Sequence, residues 1–147
     1  MNEITSFSKQ FNWLSNFYPV KVVYDDVEYP TVEHAYVAAK TVDLDHRYII
    51  RECGSPAIAK KLGKHLDLRF GWNDMKLIVM TKLLVQKFNP VGTPEQQNLS
   101  KKLIATGNAI LIEGNIWGDC FWGVCNGRGD NWLGKILMQI RDNINGY

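Results

Sequence analysis

Two stretches of the chain set groups that handle protons beside groups that hold rings or sugars. The first opens at Thr31. If a helix starts there, Glu33, Val37 and Lys40 share one of its faces, with Tyr36 beside them, while Ala35, Ala38 and Ala39 gather on the opposite face. A face of alanines lets such a helix pack closely. A carboxylate and an amine seven residues apart lie roughly 10 Å apart along the axis, a spacing that brackets a sugar-sized ligand. The same pattern also describes an amphipathic helix whose Glu and Lys stand in water. The second stretch covers residues 114–130 and contains Trp117-Gly118-Asp119-Cys120-Phe121-Trp122-Gly123. Rings next to a carboxylate suit a site that stacks a planar group and moves a proton. Equally, the rings roof a core and Asp119 caps a turn. A shorter stretch of the same kind sets Asn16 among Trp13, Phe17 and Tyr18. Two polar-aromatic loops in so short a chain point to one shared pocket.

The elements that position these residues are legible from caps and periodicity. Val20 to Tyr24 and Val27 to Tyr29 flank Asp25-Asp26 and read as a hairpin. Pro30 stops the second strand, and Thr31 caps a helix to about Lys40. Asp45 is the expected cap of a second helix through Glu52, ended by Gly54. Ser55-Pro56 opens a third, to about His65. Asn73 or Asp74 opens a fourth, to about Phe88, with Met75, Ile78, Val79 and Leu83 at helical spacing. Thr93-Pro94-Glu95-Gln96 is a capping box for a fifth, to about Thr106. Ala109 to Glu113 reads as a short strand and 114–130 as a long loop. Asn131 caps a last helix with Leu133, Ile136, Leu137 and Ile140 in one stripe. The expected fold class is α+β, a helix-rich single domain over residues 1–147 with a small hairpin or sheet.

Composition narrows the class. Of the 147 residues, 46% are hydrophobic and 22% charged, which suits a globular core and argues against disorder. The longest apolar runs, such as Leu77 to Met80, are far too short for a membrane span, and the polar N-terminus does not read as a secretory leader. Cys53, Cys120 and Cys125 form no C-x-x-C pair, which fits reduced thiols in a cytoplasmic setting. His34, His46 and His65 do not fall at metal-ligand spacings, no nucleotide-binding glycine fingerprint is present, and no metal or cofactor is expected. The net charge of +2 hides an uneven distribution. Residues 1–39 hold two basic and five acidic side chains, residues 40–102 twelve and six, and residues 103–147 three and four. The middle segment therefore carries +6. That is either a set of solvated helix faces or a surface for a phosphorylated or nucleic-acid ligand.

Taken in order, several blocks resemble the YbiA-like, or NADAR, family. They are Trp13-Leu14-Ser15-Asn16-Phe17-Tyr18-Pro19, Tyr29 through Lys40, Ala59-Lys60-Lys61-Leu62-Gly63, Leu68-Arg69 with Trp72, Lys76 with Val79-Met80, Lys87-Phe88, Glu113, Asp119, Phe121-Trp122-Gly123, and Asn131-Trp132-Leu133-Gly134-Lys135. The blocks are collinear over nearly the whole chain. One departure is Val37, where the family usually has Gln.

The resemblance implies a YbiA-like fold and hydrolysis of an N-glycosidic bond. Members are described as acting on ribosylamine intermediates of riboflavin biosynthesis or as removing ADP-ribose from guanine. Both substrates join ribose C1 to nitrogen near phosphate and a planar base. On that reading Glu33 stabilises the oxocarbenium-like centre and activates water, or Lys40 attacks C1 in its ring-opened form to give a Schiff base. Asp119 orients a ribose hydroxyl or moves a proton. Trp72 and Trp122 stack the base or wall the ribose, with Phe17 beside them. Arg69, with Lys60 or Lys61, holds phosphate, and Asn16 and Asn131 bind sugar or base. The implied partner is a phosphorylated ribosyl or ADP-ribosyl substrate, with ADP-ribosylated nucleic acid as a further candidate. The alternative is a non-catalytic ADP-ribose or nucleotide-binding module that keeps the pocket.

Overall fold

The computed structural model describes residues 2–146. In chain order it contains β1 (Glu3–Ile4), a 3-10 helix (Lys9–Leu14), β2 (Val22–Tyr24), β3 (Val27–Tyr29), α1 (Val32–Ala39), α2 (Leu44–Glu52), α3 (Pro56–Gly63), α4 (Trp72–Lys87), α5 (Pro94–Ala105), β4 (Ile110–Leu111), β5 (Gly114–Asn115), β6 (Val124–Cys125) and α6 (Trp132–Asn145). The chain folds as two compact units. One runs from Asn16 to Lys87, and the other joins the residues up to Ser15 with those from Phe88 onward.

The unit from Asn16 to Lys87 is built around α1. β2 and β3 pair antiparallel, Val22 opposite Tyr29. Asp25 and Asp26 both adopt positive φ, 48° and 63°, the conformation that two-residue hairpin turns require and that short polar side chains tolerate. Thr31 then caps α1, its side chain accepting from the His34 N–H at 3.1 Å. Every residue of α1 except Glu33 is buried. The helix is central to its unit, and α2, α3 and α4 all pack on it. Its C-terminal carbonyls are closed by a side chain from α2: Arg47 Nε donates to Ala38 O at 3.1 Å and Thr41 O at 2.8 Å, and its Nη1 pairs with Asp25 at 2.7 Å. Ser55 caps α3 with Pro56 in its first turn, as the spacing predicts. Two starts differ from expectation. Asp43, not Asp45, caps α2, because its Oδ1 reaches both the Asp45 and His46 N–H groups. Helix α4 begins at Trp72, directly after Gly71 turns the chain at φ 76°.

The last residue of α4 leads to a first prediction. Lys87 is 0% exposed, its Nζ 5.7 Å from the centroid of the Tyr18 ring. Burial pushes its ammonium pKa down to about 7. Between that value and the ordinary lysine range the unfolded chain binds one more proton than the folded one. Stability therefore rises with pH across this window, by about 1.4 kcal/mol per pH unit at most for one group. Denaturant titrations at pH 7 to 9 are expected to show a steeper gain for the parent than for Lys87→Met. Parallel pH dependences would show that Lys87 stays charged in the fold.

In the other unit α6 packs on α5 and β4, with the stripe Leu133, Ile136, Leu137 and Ile140 buried. Thr93 and Gln96 form the expected capping box of α5. Trp13 meets Phe88 edge-on at 6.3 Å. Arg141 is buried and donates to Ala109 O at 2.8 Å and Thr106 Oγ1 at 2.9 Å. Here the sequence reading needs three corrections. β1 and the 3-10 helix were not foreseen, and β1 pairs in parallel with β4. Residues 114–130 are not a single structureless loop, since Gly114–Asn115 pairs in parallel with Val124–Cys125. The single small sheet expected is three two-stranded ones. The fold class holds: a helix-rich α+β architecture with small sheets. No helix among the described residues is long and apolar enough to cross a membrane.

Candidate active site

Glu33 enters the first turn of α1, where its backbone N–H donates to the carbonyl of Asn16 at 3.1 Å. An N–H left over by the helix thus fastens the preceding polar-aromatic loop. The Asn16 side chain donates through Nδ2 to Met80 Sδ at 3.6 Å. Its Oδ1 is buried without a hydrogen-bond partner among the described residues. An acceptor in that state is a place where a ligand hydroxyl or N–H gains affinity. Phe17 is at the surface, with Lys60 Nζ 6.0 Å from its ring centroid.

Lys40 ends α1 and is half-buried. Its Nζ lies 5.3 Å from the Tyr36 ring centroid, and that ring is tilted against Trp72 at 5.3 Å. The Lys40 carbonyl accepts from the Arg69 N–H at 2.8 Å, and Arg69 Nη1 reaches Tyr24 Oη at 3.4 Å. Burial pushes the Lys40 pKa below the ordinary lysine value. The Glu33 charge pushes it back up, and the ammonium groups of Lys60 and Lys76 push it down further. A lowered amine pKa raises the share of neutral, nucleophilic amine at neutral pH. Within this unit the fold thus draws Asn16, Phe17, Glu33, Lys40, Lys60, Arg69 and Trp72 toward α1. Lys61 is exposed. Sequence reasoning missed Lys76, Tyr24 and Met80 as neighbours of these residues. All three come from other elements, so no spacing along the chain signals them.

In the other unit, Asp119 Oδ1 accepts from the Phe121 and Trp122 N–H groups at 3.1 and 2.9 Å. The Asn115 side chain holds Asp119 by both backbone groups, at 2.8 and 3.0 Å, and donates to Glu113 Oε2 at 3.2 Å. The carboxylate therefore does cap a turn, and both bonds fall on Oδ1. Trp122 is half-buried and edge-on to Phe121 at 4.8 Å. Asn131 sits at the start of α6 in a left-handed conformation with no side-chain cap. Its amide instead donates to Leu111 O at 2.9 Å and accepts from the Glu113 N–H at 3.0 Å. Asp119→Ala strips two N–H groups of their acceptor and is expected to cost about 1–2 kcal/mol in denaturant unfolding. Asp119→Asn keeps Oδ1 and is expected to lose less than half of that. Equal losses would mean that the negative charge, not the acceptor, holds the turn.

Among the described residues no group of three or more His, Cys, Asp or Glu is placed to hold a metal ion, and Cys53, Cys120 and Cys125 are free thiols. A cavity of about 400 Å³ opens between α2 and β3, lined by Tyr29, Arg47, Tyr48 and Arg51 among others and by none of the candidate residues.

A helix-rich α+β fold with small sheets is the class of protein to which the comparisons lead. The NADAR domain matches residues 5–145, and the chain belongs to that family. It is similar to the N-glycosidase YbiA of Shigella boydii, 36% identical over 144 residues, which cover 95% of this chain and 85% of that protein. The riboflavin biosynthesis protein PYRR, chloroplastic, of Zea mays is 33% identical over 164 residues, or 97% of this chain and 25% of that protein. The NMR structure of the E. coli protein YbiA superposes with a TM-score of 0.80 at 34% identity, covering 97% of this chain and 83% of that one.

Proposed function

We propose that the chain is a hydrolase of N-glycosyl bonds that cleaves the bond between ribose C1 and a base nitrogen. The observation that carries this reading is Lys40. An amine at the end of the buried helix α1, lowered in pKa by burial and by Lys60 and Lys76, shares its helix with a carboxylate that acts on its charge. A binding module needs shape and phosphate contacts, not a nucleophile tuned in this way.

The reaction runs in balanced steps. Ring opening breaks the C1–O4′ bond, with a proton going to O4′, and leaves C1 doubly bonded to the base nitrogen. Neutral Lys40 Nζ adds to C1, and the remaining bond from C1 to the base nitrogen breaks with its electron pair. The leaving nitrogen takes a proton, and an imine joins C1 to Lys40. Glu33 removes a proton from the water that adds to this imine, which frees the sugar and restores the amine. In the direct route the same carboxylate activates water at an oxocarbenium-like C1 without the imine. Arg69 and Lys60, with Lys61 farther out, serve the phosphate. Trp72 faces the base, Phe17 completes the binding set in this unit, and the open Asn16 Oδ1 accepts a sugar hydroxyl.

The proposed substrate is a phosphorylated ribosylamine of the riboflavin pathway, a reading supported by the name of the Zea mays relative. ADP-ribosylated guanine, free or in nucleic acid, is the competing substrate and would draw on the +6 segment. The test incubates the protein with a ribosylaminopyrimidine phosphate and with ADP-ribosylated guanine DNA and measures free base by chromatography. Release from the first alone is the expected result. Release from the second alone reassigns the substrate, and binding of either without release overturns the enzymatic reading.

A further inference from the structure

Helix α3 packs on α1, and one of its residues at the contact, Gly63, carries no side chain. A Cβ on Gly63 would stand 2.9 Å from Val37 Cγ1 and 3.7 Å from Lys40 Nζ. Gly63 is the last residue of α3 and is buried. A positive φ does not explain the glycine, because Gly63 is not among the residues that adopt one. Space does. Val37 is 0% exposed, and a β-branched side chain in a helix is confined to one rotamer, so its methyl cannot swing aside. The Lys40 backbone is equally fixed by the Arg69 N–H on its carbonyl. The amine thus lies along a seam with the Tyr36 ring on one side and the bare backbone of α3 on the other.

We propose that Gly63 and Val37 are positioning residues that hold the Lys40 amine in the seam between α1 and α3. The proposal rests on the reading of Lys40 as the nucleophile and says what places it. Space at Gly63 lets α3 approach until its backbone walls the amine, and Val37 fills the rest of the seam so that water does not. The charged groups acting on the amine are Glu33 from α1, Lys60 from α3 and Lys76 from α4, and none is altered by a change at 63 or 37.

The variants are Gly63→Ala, Val37→Ala and the pair. Overpacking against the confined Val37 outweighs alanine's better helix propensity, so Gly63→Ala is expected to melt below the parent while staying folded at assay temperature. Its methyl would fall 2.9 Å from a Val37 methyl that cannot swing aside, so α3 backs away from α1, which opens the seam and lets water reach the amine. Base release is expected to fall about tenfold in kcat with KM within twofold. Val37→Ala removes the opposing methyl, so the pair is expected to recover most of the loss, a coupling that separate sites would not show. A second readout needs no substrate. Acylation of Lys40 followed by peptide mapping across pH gives its titration midpoint, which is expected to move up by half a unit or more in Gly63→Ala and to return in the pair. An unmoved midpoint, or no recovery in the pair, overturns the positioning role. If Lys40→Met retains turnover, the reading of the nucleophile fails, while the acylation profiles still decide whether Gly63 and Val37 place the amine.

Discussion

Glu33→Gln is expected to yield a folded protein that releases base about a hundredfold or more slowly than the parent, with the loss in kcat. The substitution keeps the size of the side chain and leaves untouched the backbone bond from residue 33 to Asn16 O, 3.1 Å long in the parent. The substitution removes one negative charge from the first turn of α1, worth about 0.3–1 kcal/mol through the helix dipole, and the melting temperature is expected to drop by a few degrees. The variant also separates two roles. The Glu33 charge raises the Lys40 pKa, so its removal lowers that pKa further and leaves more neutral amine at a given pH. If Glu33 activates the water that hydrolyses an imine, the variant forms the imine readily and discharges it slowly. Borohydride then traps more adduct in Glu33→Gln than in the parent during turnover. Turnover at the parental rate would remove the general-base role. A loss of activity without a rise in trapped adduct assigns Glu33 to the cleavage step instead.

The helix that carries both groups was readable because its signals are local. Thr31 caps it, Pro30 ends the strand before it, and Glu33, Val37 and Lys40 recur at the spacing of one face, with Tyr36 beside them. The hairpin turn at Asp25-Asp26, the Ser55-Pro56 start and the Thr93–Gln96 box were legible for the same reason, since each cap satisfies backbone groups within a few residues of itself. Signals with distant partners were not. Glu3–Ile4 becomes a strand only because Ile110–Leu111 lies beside it, and two residues cannot show an alternation. Asn131 has the type and place of a cap, yet its amide turns to Leu111 and Glu113. The nonlocal partners override the local preference, and the backbone takes a left-handed conformation there. Asp119 shows the opposite case. Its carboxylate bonds only two and three residues ahead, so the turn it makes was open to sequence reasoning from the start. The burial of Lys40 was invisible, because it comes from α3 and α4 rather than from the helix the lysine ends. The chemistry at α1 was thus legible as residue types, and its tuning only as packing.

Lys40→Met is expected to lower base release about a thousandfold or more, since the imine route then has no nucleophile and only the direct attack of water remains. Unfolding does not account for such a loss. The Lys40 pKa is lowered in the fold, so below the ordinary lysine range the unfolded chain binds more protons and the charged amine opposes folding. A neutral side chain of similar length relieves that cost, and Lys40→Met is expected to be at least as stable as the parent near neutral pH. Lys40→Arg sharpens the test: it restores the charge and much of the length, but a guanidinium is not deprotonated in the accessible range and cannot form the imine. Both variants are expected to be inactive and to give no borohydride adduct. The parent is expected to gain the mass of the ribosyl remnant on the peptide containing Lys40. Its rate is expected to rise with pH up to a midpoint below the ordinary lysine value, because burial and the neighbouring Lys60 and Lys76 outweigh the Glu33 charge. An active Lys40→Arg with no adduct in the parent would discard the covalent route and leave Glu33 to act on water directly. That result would also recast the half-buried amine as a phosphate ligand, because charge is the one property arginine keeps.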